Sequence, residues 1–220
     1  MLKVTWILAY VVLFSTLVPV AVLVSKRKYL NSTYKAVFLL LIALLIGDSI
    51  SYLTNQYFGE NLWSSHIYMI LERVPVFWFF HVVYKSPRFS RFLGFAALVY
   101  LVLHLVDIFY TAGIYNYNWL SRAYTSALFT YCGMNYLMRL YRAPSTYHMA
   151  AQPLYWFCLA IALAAGGVFM LDIAQKLFDP ALEKNWPYLL YIHFIRLCLL
   201  ILSRILFTIG VFKIPSNRMI

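Results

Sequence analysis

Apolar residues along the chain are gathered into seven long segments that are separated by short polar stretches. The segments cover residues 4–24, 34–54, 65–84, 92–112, 119–140, 150–176 and 187–212. Each has about 20 residues or more, the length that an α-helix needs to cross the hydrocarbon core of a bilayer. The pattern predicts an all-α polytopic membrane protein, with seven transmembrane helices in a single domain over residues 1–220 and no soluble domain. Because the connections are short, consecutive helices are expected to be antiparallel neighbours.

Charged residues are few, and their positions predict how the chain is oriented in the membrane. Hydrophobic residues make up 64% of the sequence and charged residues 11%, a composition typical of an integral membrane protein. The net charge of +11 arises largely from basic residues in or beside alternate connections. These are Lys26, Arg27, Lys28, Lys35, Lys85, Arg88, Arg91, Arg139, Arg142, Lys213 and Arg218. The positive-inside rule then places the N-terminus outside and the C-terminus inside the cell. The excess of basic residues is therefore explained by the orientation of the chain in the membrane, and nucleic acid is not expected as a partner.

The last segment carries His193, Arg196, Ser203 and Arg204 within a run that is otherwise rich in Leu, Ile and Phe. At about 100° per residue, these positions fall on one arc of the helix roughly 100° wide. An arginine at the centre of a bilayer costs roughly 2.5–3.5 kcal/mol even on the lenient insertion scale. The stripe is therefore expected to face other helices or water rather than lipid.

Ionisable residues also occur inside most of the other segments. Counting along each helix at about 1.5 Å per residue places most of them in the outer half of the bilayer. The candidate ligand-binding residues are Asp48, Glu72, Arg73, His104, Asp107, Asp172, His193 and Arg196. Two interpretations stay open: an ion-pair network that holds the helices together, or a polar pocket that opens to the outside. Arg196 lies too deep to reach the interface easily, so a carboxylate partner is expected, and Glu72 and Asp48 have the most similar depth.

Neither a metal nor a cofactor is predicted. Seven-helix zinc hydrolases of the ceramidase and adiponectin-receptor type resemble the chain in helix count, but the paired histidines of their last helix are missing here. One turn after His193 comes Arg196, whose charge would repel a cation. The last segment has no lysine that could hold retinal as a Schiff base. Cys132, Cys158 and Cys198 lie in apolar segments and are interpreted as packing residues. His66, His81 and His148 lie near segment ends and are interpreted as interfacial hydrogen-bonding residues.

Short stretches in three of the segments carry a resemblance to a known group of proteins. They are His66-Ile67-Tyr68 with Glu72, Pro153-Leu154-Tyr155-Trp156, Ile192-His193 and Gly210-Val211-Phe212-Lys213. On these motifs the chain resembles an uncharacterised group of small bacterial seven-helix integral membrane proteins, some of which are encoded beside sensor kinases. The resemblance implies a bacterial inner-membrane protein with a sensory role, and it implies no particular ligand or reaction.

These residues predict a receptor-like or sensory integral membrane protein with a polar ligand pocket in the outer half of the helix bundle. Arg73 and Arg196 would recognise a small anionic or zwitterionic ligand, which Asp48, Glu72 and His193 would orient. The signal would pass by helix movement to a signalling partner in the cytoplasm or in the membrane.

Two other functions remain as alternatives. A small-molecule transporter is supported by Ser203 and Arg204, which continue the polar stripe of the last segment inward. A membrane-embedded lipid-modifying enzyme could use acid–base chemistry of Asp and His side chains. The pattern favours a protein that is not an enzyme.

Overall fold

The structure is a computed structural model that describes residues 2–58, 62–111, 118–142, 149–182 and 186–215. Every regular element within these ranges is helical, which confirms the predicted all-α class. The long helices are α1 (Leu2–Ser25), α2 (Ser32–Phe58), α3 (Leu62–Tyr84), α4 (Pro87–Val106), α5 (Trp119–Arg142), α6 (Pro153–Leu182) and α7 (Trp186–Phe212). Short 3₁₀ turns occupy Arg27–Tyr29 and Met149–Ala151, and α4 continues as a π-helical turn over Asp107–Thr111.

Six of the long helices are long and apolar enough to cross a membrane, which makes this a multi-pass membrane protein. These stretches are Ile7–Ser25, Ser32–Thr54, His66–Tyr84, Pro87–Tyr110, Pro153–Gln175 and Leu190–Phe212. Helix α5 is not among them, because Arg122, Asn135 and several hydroxyl-bearing residues lower its apolar character. The described residues thus support most of the predicted spans, while the count of seven and the orientation stay predictions.

Several predicted boundaries shift for local reasons. Helix α4 begins at Pro87, five residues earlier than the predicted segment, and the Ser90 N–H donates to the Ser86 carbonyl at 2.8 Å. Proline suits the first helical position, where its missing N–H is not needed. At the start of α2, the Asn31 side chain accepts the Tyr34 N–H at 3.0 Å, an N-capping contact. Parts of the connections between the long helices, at residues 59–61, 112–117, 143–148 and 183–185, lie outside the described residues. His148 and Arg218 also lie outside them.

Backbone contacts divide the chain into two compact units that share α5. The terminal unit contains α1, the part of α5 that starts at Ser126, α6 and α7. Its helix α7 packs against both α6 and α1. Glycine allows the close approach of α6 and α7, because a Cβ atom at Gly210 would lie 2.5 Å from the Phe157 ring. At Gly167, a Cβ would likewise lie 2.5 Å from Leu199. Small residues at such contacts are typical of membrane helices.

The central unit contains α2, α3, α4 and the start of α5 up to Thr125. Helices α2 and α3 pack so closely that a Cβ at Gly47 would overlap the Tyr68 ring. The turn between α3 and α4 is tight, with Lys85 in the left-handed region at φ 47°. Across this turn the rings of Tyr84 and Phe89 stack with centroids 3.6 Å apart. The central unit therefore holds α3, α4 and the start of α5 in a defined arrangement, and this arrangement positions the candidate site.

Candidate functional site

Polar side chains lie at helical spacing on the packed faces of three helices in the central unit. They are His66 and Arg73 on α3, Tyr100, His104 and Asp107 on α4 and its π-helical turn, and Asn118, Ser121 and Thr125 at the start of α5. All of them are buried. A buried polar group is stable only if it finds a hydrogen-bond partner. The contacts of each residue therefore indicate what the site can bind.

Asp107 holds the start of α5 in place. Its Oδ2 accepts the backbone N–H of Ser121 at 2.8 Å, in the first turn of α5. The first N–H groups of a helix have no intrahelical acceptor, and a carboxylate there is also favoured by the helix dipole. Asp107 itself begins the π-helical turn that ends α4. In this structure the predicted ligand-binding residue Asp107 is a capping residue between two helices.

The contacts of Asn118 orient His66. The Asn118 Nδ2 donates to Met69 Sδ at 3.0 Å and lies 3.5 Å from His66 Nδ1. The ring centroids of His66 and His104 are 5.4 Å apart and tilted by 57°. Tyr100 lies one turn before His104 on α4, with ring centroids 5.6 Å apart. We name His66, Tyr100, His104 and Asn118 the histidine cluster.

Each member of the histidine cluster has one polar atom without a hydrogen-bond partner among the residues that the structure describes. These atoms are His66 Nε2, the Tyr100 hydroxyl oxygen, His104 Nε2 and Asn118 Oδ1. The residues themselves are 6%, 2%, 3% and 0% exposed, respectively, so bulk water does not reach them freely. His104 has a contact on its other ring nitrogen, with Nδ1 3.4 Å from the Ser121 hydroxyl. The cluster thus offers hydrogen-bonding capacity that the surrounding side chains leave unused.

The charged residues of α3 already have a partner in each other. Arg73 Nη1 lies 3.3 Å from Glu72 Oε1, and their side chains are 8% and 22% exposed. Both residues, together with Asp107, lie within electrostatic range of Tyr100. Asp48, also predicted as a ligand-binding residue, is half-buried on α2. Glu72, Arg73 and Asp107 thus all lie near Tyr100 in the central unit, while their role in binding a ligand stays a prediction.

The terminal unit contains a buried ion pair of its own. Arg196 Nη2 donates to Asp172 Oδ1 at 2.7 Å, and the two side chains are 15% and 2% exposed. The expected carboxylate partner of Arg196 is therefore found, but it is Asp172 on α6, whereas the depth count favoured Glu72 or Asp48. Depth in the bilayer, counted along each helix, could not identify Asp172 as the partner, because the packing of α6 against α7 decides which acid lies close to Arg196.

The polar stripe of α7 is only partly directed into the terminal unit. Ser203 and Arg204 are buried, and the Ser203 hydroxyl donates to the Ala160 carbonyl at 3.1 Å. His193 is exposed on the surface of the chain, although it interacts electrostatically with Arg196. Ser203 and Arg204 thus face neighbouring residues of the terminal unit, as expected for part of the stripe, whereas the prediction that His193 faces helices or water rather than lipid stays a prediction.

Sequence reasoning missed three members of the histidine cluster. It interpreted His66 as an interfacial residue, and it gave no role to Tyr100 or Asn118. The available signals were the i, i+4 spacing of Tyr100 and His104 and the i, i+3 spacing of His66 and Met69. Within the described ranges, no group of three or more His, Cys, Asp or Glu side chains has the arrangement of a metal site.

Comparisons of the chain with protein families, with curated proteins and with solved structures found no match. They therefore add no support to the bacterial origin or the sensory role that the sequence resemblance implies. The proposals below rest on the geometry of the two units alone.

Proposed function

We propose that this protein is a receptor-like membrane protein that binds a small polar ligand in the histidine cluster. The observation that carries the proposal is the set of four buried polar atoms, one on each member of the cluster, that lack partners among the described residues. An unsatisfied buried polar group costs about 1–3 kcal/mol, and the four residues that carry these atoms are neighbours in the central unit, which supports a ligand site there. A bound ligand that hydrogen-bonds to them would remove this cost.

We further propose that α5 is a seventh transmembrane helix, although it is less apolar than the others. Its polar residues Ser121, Thr125 and Ser126 are fully buried, whereas Met134 and Met138 are exposed. A helix that turns its hydroxyl groups inward presents a largely apolar surface to lipid. This arrangement is compatible with a membrane position that overall composition does not reveal.

Seven spans, together with the basic connections, support an N-outside and C-inside orientation in the inner membrane of the cell. Basic side chains at each of these connections are exposed, namely Arg27, Lys85, Arg139 and Lys213. A reporter fused after Ile220 should therefore be active only on the cytoplasmic side. Activity on the outer side alone would contradict the orientation, and six spans would place the two termini on the same side.

Signal output is proposed to pass by helix movement to a signalling partner in the cytoplasm or in the membrane. The π-helical turn after α4 is a suitable place for such movement, because Asp107 links it to the first turn of α5. A ligand at His104, one turn before Asp107, would act on this link directly.

A thermal-unfolding screen of the full-length protein in nanodiscs tests the proposed function. A library that includes neutral, anionic, cationic and zwitterionic compounds is compared between the wild type and the His104→Ala variant. At a concentration 100 times its Kd, a ligand adds about 2.7 kcal/mol and should raise the Tm by about 5–10 °C. The increase should be lost in His104→Ala and kept in the matched variant His81→Ala, which alters an exposed histidine of α3. The absence of any cluster-dependent ligand would contradict the proposal.

A transporter is the second candidate, and the buried Ser203 and Arg204 favour it because they continue the polar residues of α7 toward its C-terminal end. Leu200→Cys and Phe207→Cys, made in a Cys198→Ser background, distinguish the two functions. In a receptor with a closed inner half, neither new thiol should react with a membrane-impermeant reagent from either side. Reaction of both, in states that alternate with the addition of substrate, would favour transport over the receptor.

A further inference from the structure

We infer that the ligand of the histidine cluster is uncharged and carries a hydrogen-bond acceptor next to a donor, as a carboxamide or an alcohol does. This inference rests on the proposed function and adds the chemical class of the ligand. It replaces the anionic or zwitterionic ligand expected from Arg73 and Arg196, since each of these arginines has a carboxylate partner in the structure.

The position of the proton on His66 follows from its neighbours. A thioether sulfur only accepts hydrogen bonds, so the contact with Met69 Sδ at 3.0 Å identifies the amide nitrogen of Asn118 on that side. The same NH₂ group lies 3.5 Å from His66 Nδ1, at the long end of a hydrogen bond, and because an NH₂ group can only donate, Nδ1 accepts in this contact. A neutral imidazole that accepts at Nδ1 carries its proton at Nε2. His66 thus presents a buried N–H donor, and the ligand must supply an acceptor.

The opposite face of the same amide presents an acceptor. Asn118 Oδ1 is buried and has no hydrogen-bond partner among the described residues. A ligand that satisfies it must supply a donor. The Tyr100 hydroxyl and His104 Nε2 add two further groups that can pair with either kind of atom. A ligand with a carbonyl or hydroxyl oxygen beside a donor hydrogen complements this set.

The charges around the cluster argue against an anionic ligand. Glu72 and Arg73 pair with each other, and a backbone N–H does not neutralise the Asp107 carboxylate that accepts it. The three charged side chains, all within electrostatic range of Tyr100, therefore include two acids and one base. The cluster itself has no cationic member that could pair with a buried anion, which would be strongly destabilised. A simple ammonium cation, in turn, offers no acceptor to the His66 N–H.

The same proton position disfavours a metal ion at His66 Nε2. Metal coordination needs the lone pair of that nitrogen, which carries the proton in the tautomer described above. Moving the proton to Nδ1 would set an N–H donor against the Asn118 NH₂ group. His66 Nε2 is therefore a hydrogen-bond donor toward a ligand rather than a metal ligand.

Solid-state NMR of ¹⁵N-histidine-labelled full-length protein in lipid bilayers tests the first step. The chain has five histidines, and loss of one signal in His66→Gln assigns the residue. We expect His66 to be neutral with its proton on Nε2. A proton on Nδ1, or a doubly protonated ring, would overturn the inference.

The second step uses three probes of similar size: acetamide, acetate and glycine, at constant ionic strength. Acetamide should shift the His66 signal saturably, with half-saturation at about 1–10 mM for so small a ligand, and leave the His81 signal unchanged. Acetate and glycine should bind at least tenfold more weakly. Tyr100→Phe, which removes one hydroxyl only, should weaken acetamide binding three- to tenfold, and the matched variant Tyr141→Phe, at an exposed tyrosine, should not.

The outcomes separate this inference from the proposed function. Stronger binding of acetate or glycine than of acetamide would overturn the uncharged ligand and leave a ligand site in the cluster. If no probe shifts the His66 signal, the inference is wrong. The thermal-unfolding screen, which samples ligands of every charge, then decides the proposed function independently.

Discussion

The terminal and central units both bury polar side chains between helices, and they satisfy those side chains in different ways. In the terminal unit, the charge of Arg196 meets Asp172 at 2.7 Å, and the Ser203 hydroxyl donates to a backbone carbonyl. In the central unit, the histidine cluster leaves one polar atom on each of its members without a partner among the described residues. Single polar atoms of Ser126, Asp172, Arg196 and Arg204 in the terminal unit also make no hydrogen bond among the described residues. The two units therefore differ in the kind of group involved: the terminal unit joins its helices through an ion pair, whereas the four atoms of the histidine cluster belong to uncharged side chains.

The largest effect is expected when the ion pair of the terminal unit is broken. Arg196→Ala leaves the carboxylate of Asp172 buried without its cation, and the buried-pair rule gives a loss of about 3–5 kcal/mol. Because the Arg196 side chain is 15% exposed, the lower end of this range is expected. Adding Asp172→Asn should recover part of the loss in a thermal-unfolding cycle in detergent. His193→Ala, at an exposed position of the same helix, is the control and should change stability by less than about 0.5 kcal/mol. A silent Arg196→Ala would contradict the structural role of the pair.

Adding a methyl group at a close helix contact should lower stability equally in the two units. Their buried polar groups, in contrast, should respond differently to substitution. Gly47→Ala places a methyl group against the Tyr68 ring in the central unit, and Gly210→Ala places one against Phe157 in the terminal unit. Each should lower the free energy of unfolding by up to about 3 kcal/mol, because the helices must move apart. At Gly94 a Cβ meets nothing within 4 Å, so Gly94→Ala should be neutral or slightly stabilising. Equal effects at Gly47 and Gly94 would rule out the close contact of α2 and α3.

Asp107 is the polar residue of the central unit whose role is clearly structural. Asp107→Ala removes the acceptor of the Ser121 N–H and should lower stability by about 2 kcal/mol, the usual range for a buried charged hydrogen bond. Asp107→Asn keeps an acceptor oxygen and should lose about half as much. Chemical unfolding in detergent measures both values, and hydrogen exchange at the first turn of α5 should rise in the alanine variant. An equal loss in both variants would show that the charge, and not the capping contact, stabilises α5.

The smallest and most direct test compares one hydroxyl group in each unit. Ser203→Ala removes a buried hydrogen bond to Ala160 and should cost about 1 kcal/mol. Tyr100→Phe removes a hydroxyl that has no hydrogen-bond partner among the described residues, so without ligand it should be neutral or slightly stabilising. Unfolding of the two variants in parallel, each against the wild type, checks the contrast. If Tyr100→Phe costs as much as Ser203→Ala, the hydroxyl is already satisfied and the two units do not differ.

The sequence alone determined the helical elements and most of the membrane spans. Apolar runs of about 20 residues can exist in a bilayer only as helices or closed barrels, since the backbone must satisfy its own hydrogen bonds there. That requirement is local, so hydropathy identified every long helix from residue patterns. The boundaries were less certain, and Arg88 and Arg91 lie inside α4 although they were counted with a basic loop.

Only the tertiary structure decided which polar side chains meet. His66 and Asn118 are 52 positions apart in the sequence, and His104 and Ser121 are 17 apart. Depth along a helix can be counted from the sequence, but rotation about the helix axis and the choice of neighbour cannot. Both depend on side-chain packing, such as that of Tyr68 on Gly47 and of Phe157 on Gly210. For this reason the sequence predicted an acid for Arg196 without identifying Asp172, and the histidine cluster emerged only when α3, α4 and α5 were packed together.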